Sequence, residues 1–282
     1  GCLFSGPGRI CRPGKWMSVE ATKSDGKMTR SDGRAFDEIR PVSLEIGFTH
    51  VPDGSVLIES GDTMVLCTAS VSDWLPRWRK QQAGPDAEPD GWVTGQYAML
   101  PGATSPRGRR AVKRGKVSGR TREIERLIGR SLRAVTDLSK LGPRSVQLDC
   151  EVLQADGGTR TAAITGAWLA LVIACGEAIE VGDIDEMPVT DRLAAISCGV
   201  VNGDVLLDLP YVEDSAADVD MNVVMTGSGE FVEVQGTGEE ATYSRGELED
   251  MLDLAQKGID ELIGLQLEAL PDRSYFNSLS EG

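Results

Sequence analysis

The first clear periodicity in the chain is an alternation. Val42, Leu44, Ile46 and Phe48 fall on every second position, with Ser43 and Glu45 between them, and period two predicts a strand over 42–49. Two more strand-like runs follow at 55–59 and 63–71, with Gly54 and the pair Gly61-Asp62 as turns. Residues 74–116 have no period and read as one long irregular stretch, which includes a polar insert over 81–90 and a basic run. From Ser118 the spacing changes to three and four: Ile124, Leu127, Ile128, Leu132, Val135 and Leu138 predict an amphipathic helix that Gly142-Pro143 ends. A strand over 145–153 leads through Asp156-Gly157-Gly158-Thr159-Arg160 into a second helix reaching about Ile179. That helix is apolar nearly all round, which predicts deep burial.

The second half repeats the theme. Strands over 194–201 and 205–209 flank Asn202-Gly203, a strong hairpin signal, and strands over 219–225 and 230–234 flank Gly227-Ser228-Gly229. Ser244-Arg245-Gly246-Glu247 reads as a capping box for a helix reaching about Leu270, with Leu248, Met251, Leu252, Ala255, Ile259, Leu262, Ile263 and Leu267 on one stripe. The sum is an α/β protein in two similar sheet-plus-helix halves. One domain is expected over 34–270, behind a disordered leader at 1–33 and ahead of a loose tail at 271–282.

Composition changes this picture little. No stretch approaches the roughly 18 apolar residues of a membrane span, and the N-terminal segment holds no continuous apolar region of the secretory kind. Of the six cysteines, Cys67, Cys150, Cys175 and Cys198 sit in apolar runs and none forms a CxxC pair, so reduced thiols in a cytoplasmic protein are expected. The single histidine, His50, argues against Ser-His-Asp or Cys-His catalysis.

Charge changes it more. The formal net charge is −15, yet residues 107–133 hold eleven Lys or Arg and only two acids, Glu123 and Glu125. An acidic protein with one concentrated basic segment suggests a localised anion-binding surface, although a solvated helix face would account for the same residues.

Four segments could carry chemistry. Gly157-Gly158-Thr159-Arg160 opens a helix, where free N–H groups, a hydroxyl and a guanidinium suit a phosphate; a plain turn fits as well. Arg120 opens the other helix and is either a second anion ligand or a surface residue. The run from Glu213 to Asp220 places Asp214, Asp218 and Asp220 on one face if extended. Such carboxylates repel unless a cation such as Mg²⁺ joins them, and a solvated acidic loop is the alternative. The basic loop over 107–116 would suit a phosphate backbone, or would be a disordered loop.

Together these segments resemble the ribonuclease PH family of phosphorolytic exoribonucleases. The resemblance covers about Arg30 to Leu270 and rests on R-S-D-G-R-A-F-D-E-I-R-P at 30–41, G-W-V-T-G-Q-Y-A-M-L-P at 91–101 and S-G-R-T-R-E-I-E-R-L-I-G-R at 118–130. D-C-E-V-L-Q-A-D-G-G-T-R-T-A at 149–162, Y-V-E-D-S-A-A-D-V-D-M-N-V-V-M-T-G-S-G at 211–229 and F-V-E-V-Q-G-T-G-E-E-A at 231–241 complete it. It implies a ribonuclease PH-like α/β fold with mixed sheets, and a catalytic set of Asp214, Asp220, Arg120 and Arg160. Phosphate would be bound by Arg120, Gly158, Thr159 and Arg160, Mg²⁺ by Asp214 and Asp220, and RNA by Arg107 and Arg110. It also implies a homohexamer built as a trimer of dimers, with tRNA precursors, inorganic phosphate and nucleoside diphosphates as substrates and products. The alternatives are a non-catalytic RNA-binding ring subunit and a hydrolytic nuclease. Three departures stand out: Gly102 replaces the arginine of the family's Leu-Pro-Arg-Ala-Thr, the 81–90 insert is longer and more acidic, and a leader precedes Arg30.

Overall fold

Strand-forming and helix-forming segments alternate along the chain and condense into two sheets with a helix between them. The computed structural model describes residues 30–83, 87–108, 118–238 and 241–280. The first sheet comprises β1 (Val42–Ile46), β2 (Gly54–Ser60), β3 (Thr63–Ser72), β4 (Trp92–Met99) and β5 (Ser145–Gln154), in the order β1-β2-β3-β5-β4. Its pairings are antiparallel except for β4 with β5, which run parallel. The second sheet, β6 (Leu193–Val201), β7 (Asp204–Leu207), β8 (Val219–Thr226) and β9 (Phe231–Gly238), has the order β7-β6-β8-β9 and is antiparallel throughout. The Asn202-Gly203 turn closes β6 onto β7 with positive φ at both residues (53° and 86°), as a tight primed hairpin requires.

Helices α1 (Arg77–Gln82), α2 (Gly119–Ala134), α3 (Thr159–Glu180), α4 (Tyr211–Asp214), α5 (Arg245–Ala269) and α6 (Asn277–Ser280) complete the fold. α3 packs against β2 and β3 on one side and β6 on the other, which is why its sequence is apolar all round. Contrary to the expectation that no stretch approaches a membrane span, it is long and apolar enough to cross one, yet it is buried in the core, with Trp168 and Leu171 fully enclosed. α2 covers β4, and α5 covers β6, β7 and β1. The capping box forms: Ser244 Oγ accepts from the Glu247 N–H, and a Glu247 carboxylate oxygen accepts from the Ser244 N–H. Buried Gln266 on α5 donates to the carbonyls of Thr165 (2.9 Å) and Leu193 (3.1 Å) and so ties α5 to α3 and β6.

Three further expectations are corrected. The stretch read as irregular contains α1 and β4; α1 is a short helix that buries none of its residues, and the alternation of β4 is interrupted because Gly95 takes an inward position against Ile128, while Trp92 stacks under Arg133 at 4.3 Å. The first amphipathic helix ends at Ala134, and the apolar positions Val135 and Leu138 beyond it belong to packed loop. The tail is docked rather than loose over the part described. A 3₁₀ turn at Ser274–Phe276 buries Phe276, and Leu279 is buried with it in the main core.

Candidate active site

The two helix starts singled out by sequence are built differently. α2 is capped conventionally: Ser118 Oγ accepts from the Thr121 N–H at 3.1 Å. Arg120 follows in the first turn and is exposed. α3 has Gly158 as its N-cap, in the left-handed region (φ 64°), and no side chain caps it. Its first N–H groups and the positive end of its dipole therefore face the cleft without a side-chain acceptor, the condition under which a helix start holds an anion.

Buried side chains hold this turn from behind. Arg40 Nη1 donates to the Asp156 carbonyl (2.5 Å), and Thr63 Oγ1 donates to the Gly157 carbonyl (2.7 Å) while accepting from the Asp156 N–H (2.9 Å). Arg40 is itself fixed by Asp208, through its backbone N–H (2.8 Å), Nε (2.9 Å) and Nη2 (2.6 Å). Burial alone would raise the Asp208 carboxyl. The Arg40 hydrogen bonds and charge, with Arg34 beyond, outweigh it and hold the group below its ordinary value.

Arg160 is held by two other elements. Its Nη1 donates to Gln235 Oε1 on β9 at 2.6 Å, and Glu123 on α2 lies 3.7 Å away. Gln235 Nε2 in turn donates to Glu123 at 3.1 Å. Thr159 is buried, and its hydroxyl shares a 2.9 Å hydrogen bond with the Tyr97 hydroxyl of β4.

Two further carboxylates line the cleft beside Asp156. Asp214 ends α4 and Asp220 lies on β8. The Asp220 carboxyl is pushed up to about 6, first by burial and then by the charge of Asp214; Arg160, Arg120 and a hydrogen bond from Asn222 oppose the rise without cancelling it. The expectation of one extended acidic face is corrected. Pro210 starts a helical turn, and Glu213 in that turn is pulled inward by buried Arg30 at 2.7 Å. The segment therefore coils, and Asp218 is left exposed, outside the cleft lining.

The structure brings Arg120, Gly158, Thr159, Arg160, Asp214 and Asp220 to the wall of one cleft of about 400 Å³. Arg107 is exposed and does not line it, although Thr104 and Ser105 of the same loop do. Arg110 lies outside the described residues. A Cβ on Gly102 would meet no atom within 4 Å among the described residues. Asp214 and Asp220, the latter raised first by burial and then by the Asp214 charge, form a hard-oxygen set that suits a divalent cation. Among the described residues no group of three or more His, Cys, Asp or Glu is placed to hold a metal, so a cation here would keep water or phosphate oxygens in its remaining positions.

Sequence reasoning missed Tyr97, Gln235, Glu123, Arg40 and Asp208 as parts of this site. All but Asp208 fall inside the motifs quoted above, yet nothing in their spacing indicates which side chain meets which.

Comparison with known proteins adds a second line of argument. Residues 38–176 match the model of the 3′ exoribonuclease family, domain 1, and residues 191–258 match domain 2 of the same family. The chain is 56% identical over 244 residues to ribonuclease PH of Bacillus subtilis (strain 168), covering 86% of this chain and 97% of that protein. It is 55% identical over 247 residues to ribonuclease PH of Corynebacterium glutamicum (strain R), covering 88% and 98%. Among solved structures it is similar in fold to an Archaeoglobus fulgidus exosome with RNA bound to the active site (TM-score 0.69, 24% identity, 83% of this chain and 91% of that one). Rice Rrp46 is a further match (TM-score 0.67, 19% identity, 84% and 98%).

Proposed function

The chain belongs to the 3′ exoribonuclease family, and from that membership we propose how its cleft shortens RNA. The protein is a phosphate-dependent 3′–5′ exoribonuclease and nucleotidyltransferase of tRNA processing. In this reading orthophosphate sits at the uncapped start of α3, against the Gly158–Arg160 turn, with the guanidiniums of Arg120 and Arg160 on its oxygens. One phosphate oxygen attacks the phosphorus of the last phosphodiester. A new P–O–P bond forms, the bond to the preceding 3′ oxygen breaks, that oxygen takes up a proton, and the terminal nucleotide leaves as a nucleoside diphosphate. No side-chain nucleophile is needed, so the protein contributes position and charge. Asp214 and Asp220 would hold Mg²⁺, which would supply charge neutralisation at the reacting phosphates. Because the broken bond's energy is kept in a diphosphate, the reaction also runs backward.

The observation that carries this reading is the convergence of two arginine-bearing helix starts and two carboxylates on one cleft. The rival of a non-catalytic ring subunit has nothing in its favour, since Arg120, Thr159, Arg160, Asp214 and Asp220 are all present. RNA is the substrate class; we take tRNA precursors as the specific substrate and assign RNA contacts to Arg107 and Arg110. Assembly into a trimer of dimers belongs to the same proposal and rests on family membership, and a cytoplasmic setting rests on the buried free thiols of Cys67, Cys150, Cys175 and Cys198.

The test is to incubate the protein with a 3′-extended tRNA, with and without phosphate and with Mg²⁺ or a chelator. Nucleoside diphosphates are expected only when both phosphate and Mg²⁺ are present; monophosphates formed without phosphate would make the enzyme a hydrolase. Arg160→Ala is expected to lose about 2–4 kcal/mol of transition-state stabilisation, the scale of a lost oxyanion donor, seen as a fall in kcat/KM for phosphate.

A further inference from the structure

The charged lining of the cleft is accounted for by phosphate and cation, but part of its wall is apolar. Tyr211, Val212 and Met99 all line it, and Tyr211 and Val212 remain 58% and 56% exposed. Singly exposed apolar residues need no explanation, whereas three gathered on the wall of a charged cleft do. The Tyr211 ring makes no hydrogen bond or ring contact with any described residue. Its backbone is nevertheless fixed: the Tyr211 N–H donates to Asp156 Oδ1 at 3.3 Å, and the turn it opens follows Pro210. Asp156 belongs to the same loop as Gly157 and Gly158, so ring and phosphate turn are anchored to one another. Tyr211 and Asp214 are three residues apart in α4, and both line the cleft beside the phosphate turn.

We propose that Tyr211 is the platform on which the 3′-terminal nucleobase stacks, with Met99 and Val212 as the apolar surround. This rests on the exoribonuclease reading of the same cleft and names how its substrate is gripped. The recognition is of a π-face rather than of hydrogen-bonding edges, so it accepts all four bases, as an enzyme that removes successive 3′-terminal nucleotides requires. The product nucleoside diphosphate keeps its base on the same ring, which makes Tyr211 equally important for diphosphate binding in the reverse reaction.

The experiment compares the parent enzyme with Tyr211→Ala, Tyr211→Phe and Tyr211→Trp, on oligoadenylate and on the same oligonucleotide with an abasic 3′-terminal residue. Tyr211→Ala is expected to raise KM for oligoadenylate and for ADP roughly 5- to 100-fold, with KM for phosphate unchanged at saturating RNA. Tyr211→Phe is expected to rescue most of that loss. The abasic end should weaken the parent by a similar factor and Tyr211→Ala hardly at all, because the two deletions remove one contact. Tyr211→Trp should lose emission when oligoadenylate is added without phosphate, a readout that stands even if no nucleotide is released. Equal KM values in parent and Tyr211→Ala, a loss in Tyr211→Phe as large as in alanine, or additive effects of the abasic end would each overturn the platform. A parent that releases no diphosphate while Tyr211→Trp is still quenched would overturn the activity and keep the platform.

Discussion

Asp208 touches no substrate in the reading above, yet it determines where the phosphate turn sits. It accepts three hydrogen bonds from Arg40, and Arg40 in turn grips the carbonyl of Asp156. Replacing Asp208 by Asn leaves a buried guanidinium without its counter-ion, and breaking such a pair costs about 3–5 kcal/mol. Because the folded carboxyl lies below its ordinary value, its stabilisation is complete above the unfolded value near 4 and is lost as pH falls through the folded one. Thermal melts of the parent should therefore lose Tm steeply below about pH 4. The Asp208→Asn protein should start lower at neutral pH and decline less with acid; parallel curves would remove Asp208 from this role. Arg133 is a second residue whose part differs from its appearance. It belongs by sequence to the basic segment, but it stacks on Trp92 and donates to the Val93 carbonyl at 2.8 Å, so it stabilises β4. Arg120, Arg122, Arg126 and Arg130 of the same helix stay exposed, and only Arg120 lines the cleft.

At the scale of elements, the start of α3 is the critical joint. Gly157 has φ 74°, and a Cβ there would stand 2.4 Å from the Leu209 carbonyl oxygen and 2.9 Å from the Tyr211 nitrogen. Those are backbone atoms and cannot give way as a flexible side chain would. Gly157→Ala is therefore expected to combine left-handed strain of about 1–2 kcal/mol with a shift of the α4 turn, which carries both Asp214 and Tyr211. The measurements are Tm and KM for phosphate, both of which should worsen. Gly119, the first residue of α2, has no atom within 4 Å of its would-be Cβ, and Gly119→Ala should leave Tm unchanged or slightly raised. If the two variants behave alike, the close packing of the joint is not what positions the site.

At the scale of the whole molecule, the cleft is a product of both halves. The first sheet with α2 and α3 supplies Arg120, Thr159 and Arg160; the second supplies Asp214 and Asp220, while Gln235 of β9 reaches back to Arg160. The ring proposed for this family member is tested by light scattering at micromolar protein, where a mass six times that of one chain is expected; a stable monomer that remains fully active would exclude the ring as a requirement. Local pattern alone determined most of the elements: the period-two run of β1, the three-and-four spacing of α2, the Asn-Gly hairpin and the capping box of α5 each follow from contacts within a few residues of chain. The motifs also marked both helix starts and the acidic run. What the tertiary structure decided is everything that depends on residues distant in sequence. β4 became a strand because β5 lay alongside it, Glu213 turned inward to meet Arg30, Asp218 was excluded, and Arg40 met Asp208 across 168 positions. Periodicity records only which face of an element is apolar, whereas a charged side chain finds its partner through the packing of whole elements, and that choice leaves no period in the sequence.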